Sequence, residues 1–298
     1  MRPARLRGVL MVSPPILVIA LFIGFPVVTA ILYTLGHTGG TNSVISSIAQ
    51  NQHISTKGWG TGAAYSEVLT DHQVLRDLWV TVLVTIITVV AVLVVAGGIA
   101  LYLRLADNWL SKMVAALSVV PMFIPVVIGS YAIREYYATD GFFRTLANHL
   151  GWAHAPTLSY TMSAITIGEI WTSVPFGVLL LASGFNGVPN SLIEAARDSG
   201  ASLPRAIVTV LLPMNVVQIV IVTTFTAISV MGSFTVPYMT GPSSPNMLGV
   251  TMSNYFQSFN QPQQAEVMAV IVFVVAALVG AFYIRANMRS AKASGATS

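Results

Sequence analysis

The chain alternates between long apolar runs and short polar connectors. Six runs, Val9–Leu35, Leu78–Leu103, Met113–Ile133, Met162–Phe185, Leu211–Tyr238 and Val267–Ile284, are each near the length of a membrane-crossing helix. A bilayer core of about 30 Å needs about 20 such residues. The run from Leu78 is rich in Val and Ile, residues that favour strands in water. In hydrocarbon, every backbone N–H and C=O must be paired within its own segment, so each run predicts a helix. The expected fold class is an all-α integral membrane protein with six transmembrane helices.

The direction of the spans follows from the cations, because Lys and Arg collect on the cytoplasmic side. With the N-terminus inside, that side receives Arg2, Arg5, Arg7, Arg104, Lys112, Arg197, Arg205, Arg285, Arg289 and Lys292; the other side receives Lys57, Arg76, Arg134 and Arg144. The balance predicts an N-in, C-in chain. Residues 1–8 are then a cytoplasmic N-terminus, 9–35 the first span, and 36–77 an extracytoplasmic segment. Residues 78–285 form a core of five spans with a cytoplasmic loop at 188–213, and 286–298 form a cytoplasmic tail. The Arg-rich start suggests a secretory signal, but the run is too long and lacks a small-x-small cleavage site, so it reads as an uncleaved span. Within 36–77, the Ser-, Thr-, Asn-, Gln- and Gly-rich first half reads as partly irregular, and Tyr65–Leu75 as an ordered piece along the membrane surface. The uncharged segment Gly241–Gln264 reads as a loop, and Ser290–Ser298 as a disordered tail.

Composition sharpens this picture by exclusion. The chain is 55% hydrophobic and 8% charged, far from the quarter or so that covers a soluble surface. Its net charge of +4 is scattered, with no basic stripe interleaved with aromatics, which argues against nucleic acid. It has no cysteine, which removes disulfides, zinc thiolates and thiol catalysis. The histidines His37, His53, His72, His149 and His154 lie in outer loops without metal-ligand spacing, and Met214, Met231 and Met239 are spaced too widely for a thioether site. An enzyme is therefore disfavoured. A channel or secondary transporter remains a rival, and would show paired midplane helix breaks in matching halves.

The loop between the fourth and fifth runs carries the most specific pattern. Glu194-Ala195-Ala196 is followed by three residues, Gly200, nine residues, Val210, one residue, and Leu212-Pro213. As a helix, Leu192, Ile193, Ala195, Ala196 and Ser199 form a face of small and apolar side chains, from which Glu194, Arg197 and Asp198 depart. Gly200 permits a sharp turn, Pro204 suits the first turn of a second helix, and Pro213 marks a bend into the fifth span. Taken alone, this is also what an ordinary amphipathic connector looks like.

The full spacing resembles the coupling loop of the membrane subunits of ATP-binding-cassette (ABC) importers that work with a solute-binding protein. The resemblance covers residues 78–284. It implies that Glu194 makes a charge-paired contact with a cytoplasmic ATPase, with Ala195, Ala196, Asp198, Gly200 and Pro213 completing the coupling loop. It also implies two copies of that ATPase, a second homologous permease subunit, an extracytoplasmic solute-binding protein, and surrounding lipid. No Gly-x-x-x-x-Gly-Lys-Ser/Thr phosphate loop occurs, so this chain binds no cofactor of that kind; ATP and Mg belong to the partner ATPase.

A solute path is suggested by polar residues inside the spans. Glu169 is the only carboxylate well inside an apolar run; it faces a cavity or partner, or it snorkels to the outer headgroups. Around it stand Trp171, Thr172, Ser173, Pro175 and Phe176, and an acidic residue, one position, Trp, then Pro-Phe is similar to the fourth span of carbohydrate permeases. Pro175 could open a kink there. The fifth run carries the polar residues Asn215, Gln218, Thr223, Thr226, Ser229 and Ser233, of which 215, 218, 226, 229 and 233 recur near one helical face. They either glue helices together or line a lumen. The candidate solute path is Glu169, Trp171, Ser173, Gln218, Thr226, Ser229 and Ser233. Val188–Ile193 and Ala265–Val270 also look like carbohydrate permeases, whereas Gly232–Tyr238, Pro245 and Met247–Gly249 look like polyamine permeases. Both cargoes stay open, with carbohydrate ahead.

Overall fold

The computed structural model describes residues 3–36, 60–152 and 154–293, and among them every regular element is helical. The polar stretch 37–59, with His37, His53 and Lys57, lies outside the described residues, as do Arg2 and residues 294–298 of the tail. The helices are α1 (Pro3–Ile19), α2 (Phe25–Thr34), α3 (Ala63–Thr70), α4 (His72–Leu105), α5 (Trp109–Val119), α6 (Val126–Tyr136) and α7 (Phe142–His149). They continue as α8 (Met162–Gly187), α9 (Asn190–Asp198), α10 (Leu203–Ala206), α11 (Leu212–Met214), α12 (Val216–Met231), α13 (Thr235–Thr240), α14 (Leu248–Gln257) and α15 (Pro262–Ala293).

Four stretches are long and apolar enough to cross a membrane: Met11–Thr34, His72–Leu105, Met162–Gly187 and Pro262–Ala281. The third and fifth runs, expected as plain spans, are broken. α5 and α6 meet at 108° across a short 3-10 turn, Val120–Phe123. Pro121 and Pro125 explain the break, since each lacks a donor and restricts the residue before it. The fifth run bends by 71° at Asn215, between Leu203–Met214 and Val216–Met231. There the buried Asn215 side chain donates to the Leu211 carbonyl at 2.8 Å, a local bond that competes with the helix ladder. Counting each bent pair as one span gives up to six.

Three smaller expectations also change. The fifth run was expected to reach Tyr238, but α12 ends at Met231 and α13 follows. The outer segment expected as a loop contains α14. Residues 290–293, expected to be disordered, extend α15, whose Ala, Arg and Lys residues are good helix formers. The ordered piece expected near Tyr65–Leu75 is present as α3 and the first turn of α4.

The chain divides into two compact units, residues 1–75 with 251–273 and residues 76–250 with 274–298. In the first, polar contacts tie short elements together. Thr34 Oγ1 and Tyr65 Oη lie 2.8 Å apart, the buried Gln263 donates to the Tyr33 carbonyl at 3.1 Å, and Gln264 donates to Glu67 at 3.2 Å. Asp71 caps α4, its Oδ1 accepting from the amides of Gln73 at 2.7 Å and Val74 at 3.3 Å. Its Oδ2 accepts from the Tyr255 hydroxyl at 2.6 Å. Chiefly through Tyr255, these bonds hold the Asp71 carboxyl below its ordinary value. From Met11 to Phe25 almost every side chain is exposed, as a span needs when lipid or another subunit covers it.

The second unit is organised around α8, which packs against α5, α6, α12 and α13. Its inner face joins Val92, Ala96 and Ala100 of α4 with Val178, Leu181 and Phe185 of α8, together with Val188, Leu211 and Val222. Membrane helices gain from close van der Waals approach, which small residues allow. Gly177 is the contact point, because a Cβ there would lie 2.9 Å from Ala96 Cβ and 3.1 Å from Val92 Cγ1. A second cluster of Val84, Ile165, Val230 and Met247 packs α4, α8 and α12 with the segment before α14. That segment is pinned by buried polar groups. Asp77 Oδ1 accepts from the Asn246 amide at 3.2 Å, and Thr81 Oγ1 accepts from the Leu248 amide at 2.8 Å while donating to the Asp77 carbonyl.

Candidate functional site

The predicted coupling loop forms two short helices. α9 starts after Pro189 and closes with a Gly-type C-cap: the Gly200 amide donates to the Arg197 carbonyl at 2.8 Å and the Ala201 amide to the Ala196 carbonyl at 3.1 Å. Gly200 has φ +86°, the left-handed conformation glycine adopts freely. Pro204 then falls in the first turn of α10, and a π-helical turn, Ile207–Leu211, leads on to α11 and Pro213. Ile193 packs against the apolar cluster, and Ala196 is half-buried. Leu192, Glu194, Ala195, Arg197, Asp198 and Gly200 are exposed. Among the described residues no ion pair involves Glu194. The result is a helix seated through Ile193, with the Glu194 carboxylate exposed and free of ion pairs among the described residues.

The candidate solute path is only partly brought together. A cavity of about 210 Å³ lies between α8 and α12, lined by Thr172, Ser173 and Phe176 from one helix and Phe225, Thr226 and Ser229 from the other. Residues three and four apart share a helix face, which is why Glu169, Thr172, Ser173 and Phe176 align on α8. The rings of Phe176 and Phe225 sit 5.8 Å apart with a tilt of 40°. Thr172 donates to the Glu169 carbonyl at 3.0 Å, while the buried Thr226 hydroxyl has no partner among the described residues.

One turn along α8 from the cavity, Glu169 is 3% exposed. Ser233 stands beside its carboxyl, and its Oε1 has no partner among the described residues. This position is buried among the helices. Ser233 is fixed in turn by Gly249, whose missing side chain lets the Ser233 carbonyl approach within 2.4 Å of where a Cβ would stand.

Two predicted residues stand elsewhere. Trp171 faces a different side of α8, where Ser118, Pro121, Ile167, Ile170 and Val174 complete an apolar cavity of about 320 Å³, and its ring packs against Gly129. Gln218 sits near Gly184 at the other end of α8, with its Oε1 buried and without a partner among the described residues. α8 itself runs through Pro175 without ending. Phe225 was not singled out by sequence, since a Phe within an apolar run carries no mark of its own; its place three and four residues before Ile228 and Ser229 is the one available signal. Among the described residues, no three His, Asp or Glu side chains come together as a metal site requires.

Comparison with known proteins gives a consistent setting. The family model described as "Binding-protein-dependent transport system inner membrane component" matches residues 93–289. The chain is 26% identical over 294 residues to the sulfoquinovosyl glycerol transport system permease protein SmoG of Agrobacterium fabrum, covering 94% of this chain and 90% of that protein. It is 30% identical over 227 residues to the trehalose transport system permease protein SugA of Mycobacterium tuberculosis, covering 74% and 72%. A chain of the bacterial alginate ABC transporter, crystallised with an alginate pentasaccharide-bound periplasmic protein, superposes with a TM-score of 0.74 at 15% identity, covering 98% of this chain and 96% of that one.

Proposed function

We propose a carbohydrate cargo for this chain, which belongs to the binding-protein-dependent transport system inner membrane component family and is therefore a permease subunit of an ABC importer. The observation that carries the proposal is the cavity between α8 and α12. A sugar ring offers apolar C–H faces and a rim of hydroxyls. Phe176 and Phe225 supply flat apolar surfaces, and Thr172, Ser173, Thr226 and Ser229 supply hydroxyls that both donate and accept. The unpartnered Thr226 hydroxyl leaves hydrogen-bonding capacity for a ligand. At about 210 Å³ the cavity falls below the roughly 300 Å³ where small-molecule pockets begin, which suits half of a site shared with a second permease subunit. The solutes in the names of SmoG and SugA both contain a sugar ring.

The chain would cross the membrane six times with both ends in the cytoplasm, as its cations suggest. α9 would dock into a cytoplasmic ATPase through Glu194, with Ala195 and Ala196 allowing close approach and Gly200 holding the turn. Two ATPase copies would bind ATP and Mg, and a solute-binding protein would deliver cargo from outside. A polyamine cargo is the second reading. One observation favours it: Glu169 is buried with an oxygen lacking a partner, a place where a cation would be paired.

The test is the ATPase activity of the purified complex with its binding protein, across a panel of sugars and polyamines, for wild type and Glu194→Ala. Stimulation by a sugar that is abolished in Glu194→Ala supports the proposal. Stimulation by polyamines alone would replace the cargo. Solute uptake that proceeds unchanged in Glu194→Ala, with no ATPase bound, would defeat the coupling-loop assignment.

A further inference from the structure

Arg104 stands in the last turn of α4, far along the chain from the loop that carries Glu194. Its side chain reaches the junction where α8 ends and α9 begins. Nε donates to the Phe185 carbonyl at 3.0 Å, and Nη2 donates to the Val188 carbonyl at 3.0 Å and to Asn190 Oδ1. Phe185 lies in the last turn of α8, its carbonyl also accepting from the amide of Val188, the C-cap, at 3.3 Å. Asn190 is the first residue of α9, whose N-cap Pro189 offers no side-chain cap. One guanidinium thus joins three helix ends.

The chemistry is specific to arginine. All three acceptors are neutral, and among the described residues no carboxylate pairs with Arg104. The positive charge suits the C-terminal end of α8, but a point charge alone would satisfy that. A planar fork with several fixed donors is what lets one side chain hold acceptors from two different helices, and lysine has no such fork. α9 also contacts α10 and the Ile207–Leu211 turn, and Ile193 holds it by apolar packing on the cluster that includes Ala100, Phe185 and Val188. Such contacts resist separation but have no preferred direction for sliding.

We infer that Arg104 is the positioning residue that makes α9 move as one piece with the ends of α4 and α8, so that displacement of α9 reaches the spans instead of being absorbed at the α8–α9 junction. This rests on the reading of α9 as the ATPase-docking helix. Arg104 itself does not reach the docking residue: two of its three acceptors, the Phe185 and Val188 carbonyls, precede α9, and the third, Asn190, stands one turn ahead of Glu194. Its loss should therefore leave the ATPase bound and active while breaking the link between hydrolysis and transport.

The experiment uses the whole complex in lipid vesicles, with ATPase, second permease and binding protein. It compares wild type, Arg104→Gln, Arg104→Lys, Asn190→Ala and Glu194→Ala for bound ATPase, solute-stimulated hydrolysis and solute imported per ATP. For Arg104→Gln, bound ATPase and hydrolysis should stay within about twofold of wild type, while solute per ATP falls at least about tenfold, the factor that losing a single charge-assisted bond at the low end of its range would give. Arg104→Lys should recover only part of the ratio, and Asn190→Ala should lower it by a smaller factor. An unchanged ratio in Arg104→Gln overturns the inference. So does a parallel loss of hydrolysis and import, which marks a purely structural role. If Arg104→Gln does not assemble, Asn190→Ala decides, and an unchanged ratio there overturns the inference. A wild-type complex without bound ATPase, or a Glu194→Ala complex that couples normally, would instead sink the docking reading itself.

Discussion

Replacing Gly249 by alanine sets two effects of known size against each other. Gly249 is the second residue of α14, and helix propensity alone would make alanine better by up to about 1 kcal/mol. Sterics oppose this. The new Cβ would stand 2.4 Å from the Ser233 carbonyl oxygen, 3.3 Å from its carbon and 3.6 Å from Phe234 Cα. Close C···O contacts between backbones settle at roughly 3.3–3.6 Å, so the two segments must part by about 1 Å. All three of these neighbours are backbone atoms, so no side-chain rotation relieves the clash. Overpacking of this kind costs about 1–3 kcal/mol. The same shift carries Ser233 away from Glu169, and an ordinary hydrogen bond contributes roughly 0.5–1.5 kcal/mol. After the propensity gain, the net loss is on the order of 1–4 kcal/mol, or about 3–10 °C in Tm. Thermal unfolding of the detergent-purified chain measures it. Gly232→Ala is the control, since its Cβ would meet only Ile228 and Ser229 carbonyls at 3.5 and 4.0 Å, and it should move Tm by no more than about 2 °C. A Gly249→Ala protein as stable as wild type, or an equal loss in Gly232→Ala, would refute the reasoning.

Three further outcomes are expected. Glu169→Gln should raise the KM for sugar uptake by less than about fivefold, because an amide still hydrogen-bonds; a rise of about tenfold or more, with a polyamine as the transported solute, would count for the cationic cargo. Thr81→Val should lower stability by about 1–3 kcal/mol, because it leaves the buried Leu248 amide unpaired, whereas Thr81→Ser should restore it; equal melting of all three proteins would contradict this. Asp71 is held below its ordinary value of 3.8, first by Tyr255, so its contribution is complete above pH 3.8 and is lost as pH falls through its lower folded value. Hydrogen-exchange protection at Gln73 and Val74 should therefore drop only in that acid window in wild type. In Asp71→Ala it should be lower by about 0.5–2 kcal/mol above that window and should show no such drop across it; protection that ignores both acid and the substitution would exclude the cap.

What could be read from sequence was whatever a helix writes into its own residues. The runs starting near Leu78 and Met162 became α4 and α8 because length and apolarity alone require helix in lipid. Gly200 and Pro204 foretold a turn followed by a second helix, because each acts on its own backbone. Breaks were less legible. Pro121 and Pro125 announce an interruption, but a bend of 108° depends on what α5 and α6 pack against. At Asn215 the cause is a side-chain bond to Leu211, which no residue count reveals. α14 is hidden by Gly249 and the prolines before it, although Leu248, Met252 and Tyr255 keep a helical period. Of the solute path, Ser173, Thr226 and Ser229 converge with each other, and Glu169 with Ser233. Trp171 is only two residues from Ser173, but two positions on a helix are 200° apart, and that placed it on the apolar side.

The joint at Asn215 decides what form of motion can pass through the fifth run. A push along the axis of Leu203–Met214 projects onto the axis of Val216–Met231 by cos 71°, about a third, and leaves about nine-tenths (sin 71°) directed across it. Stiff helices meeting at a few hinge residues turn such a push into rotation. The stretch bearing Phe225, Thr226 and Ser229 would then swing away from Thr172, Ser173 and Phe176 instead of sliding past them. Loading the cavity and sealing it become two angles of one helix, reached without stretching or unwinding either segment.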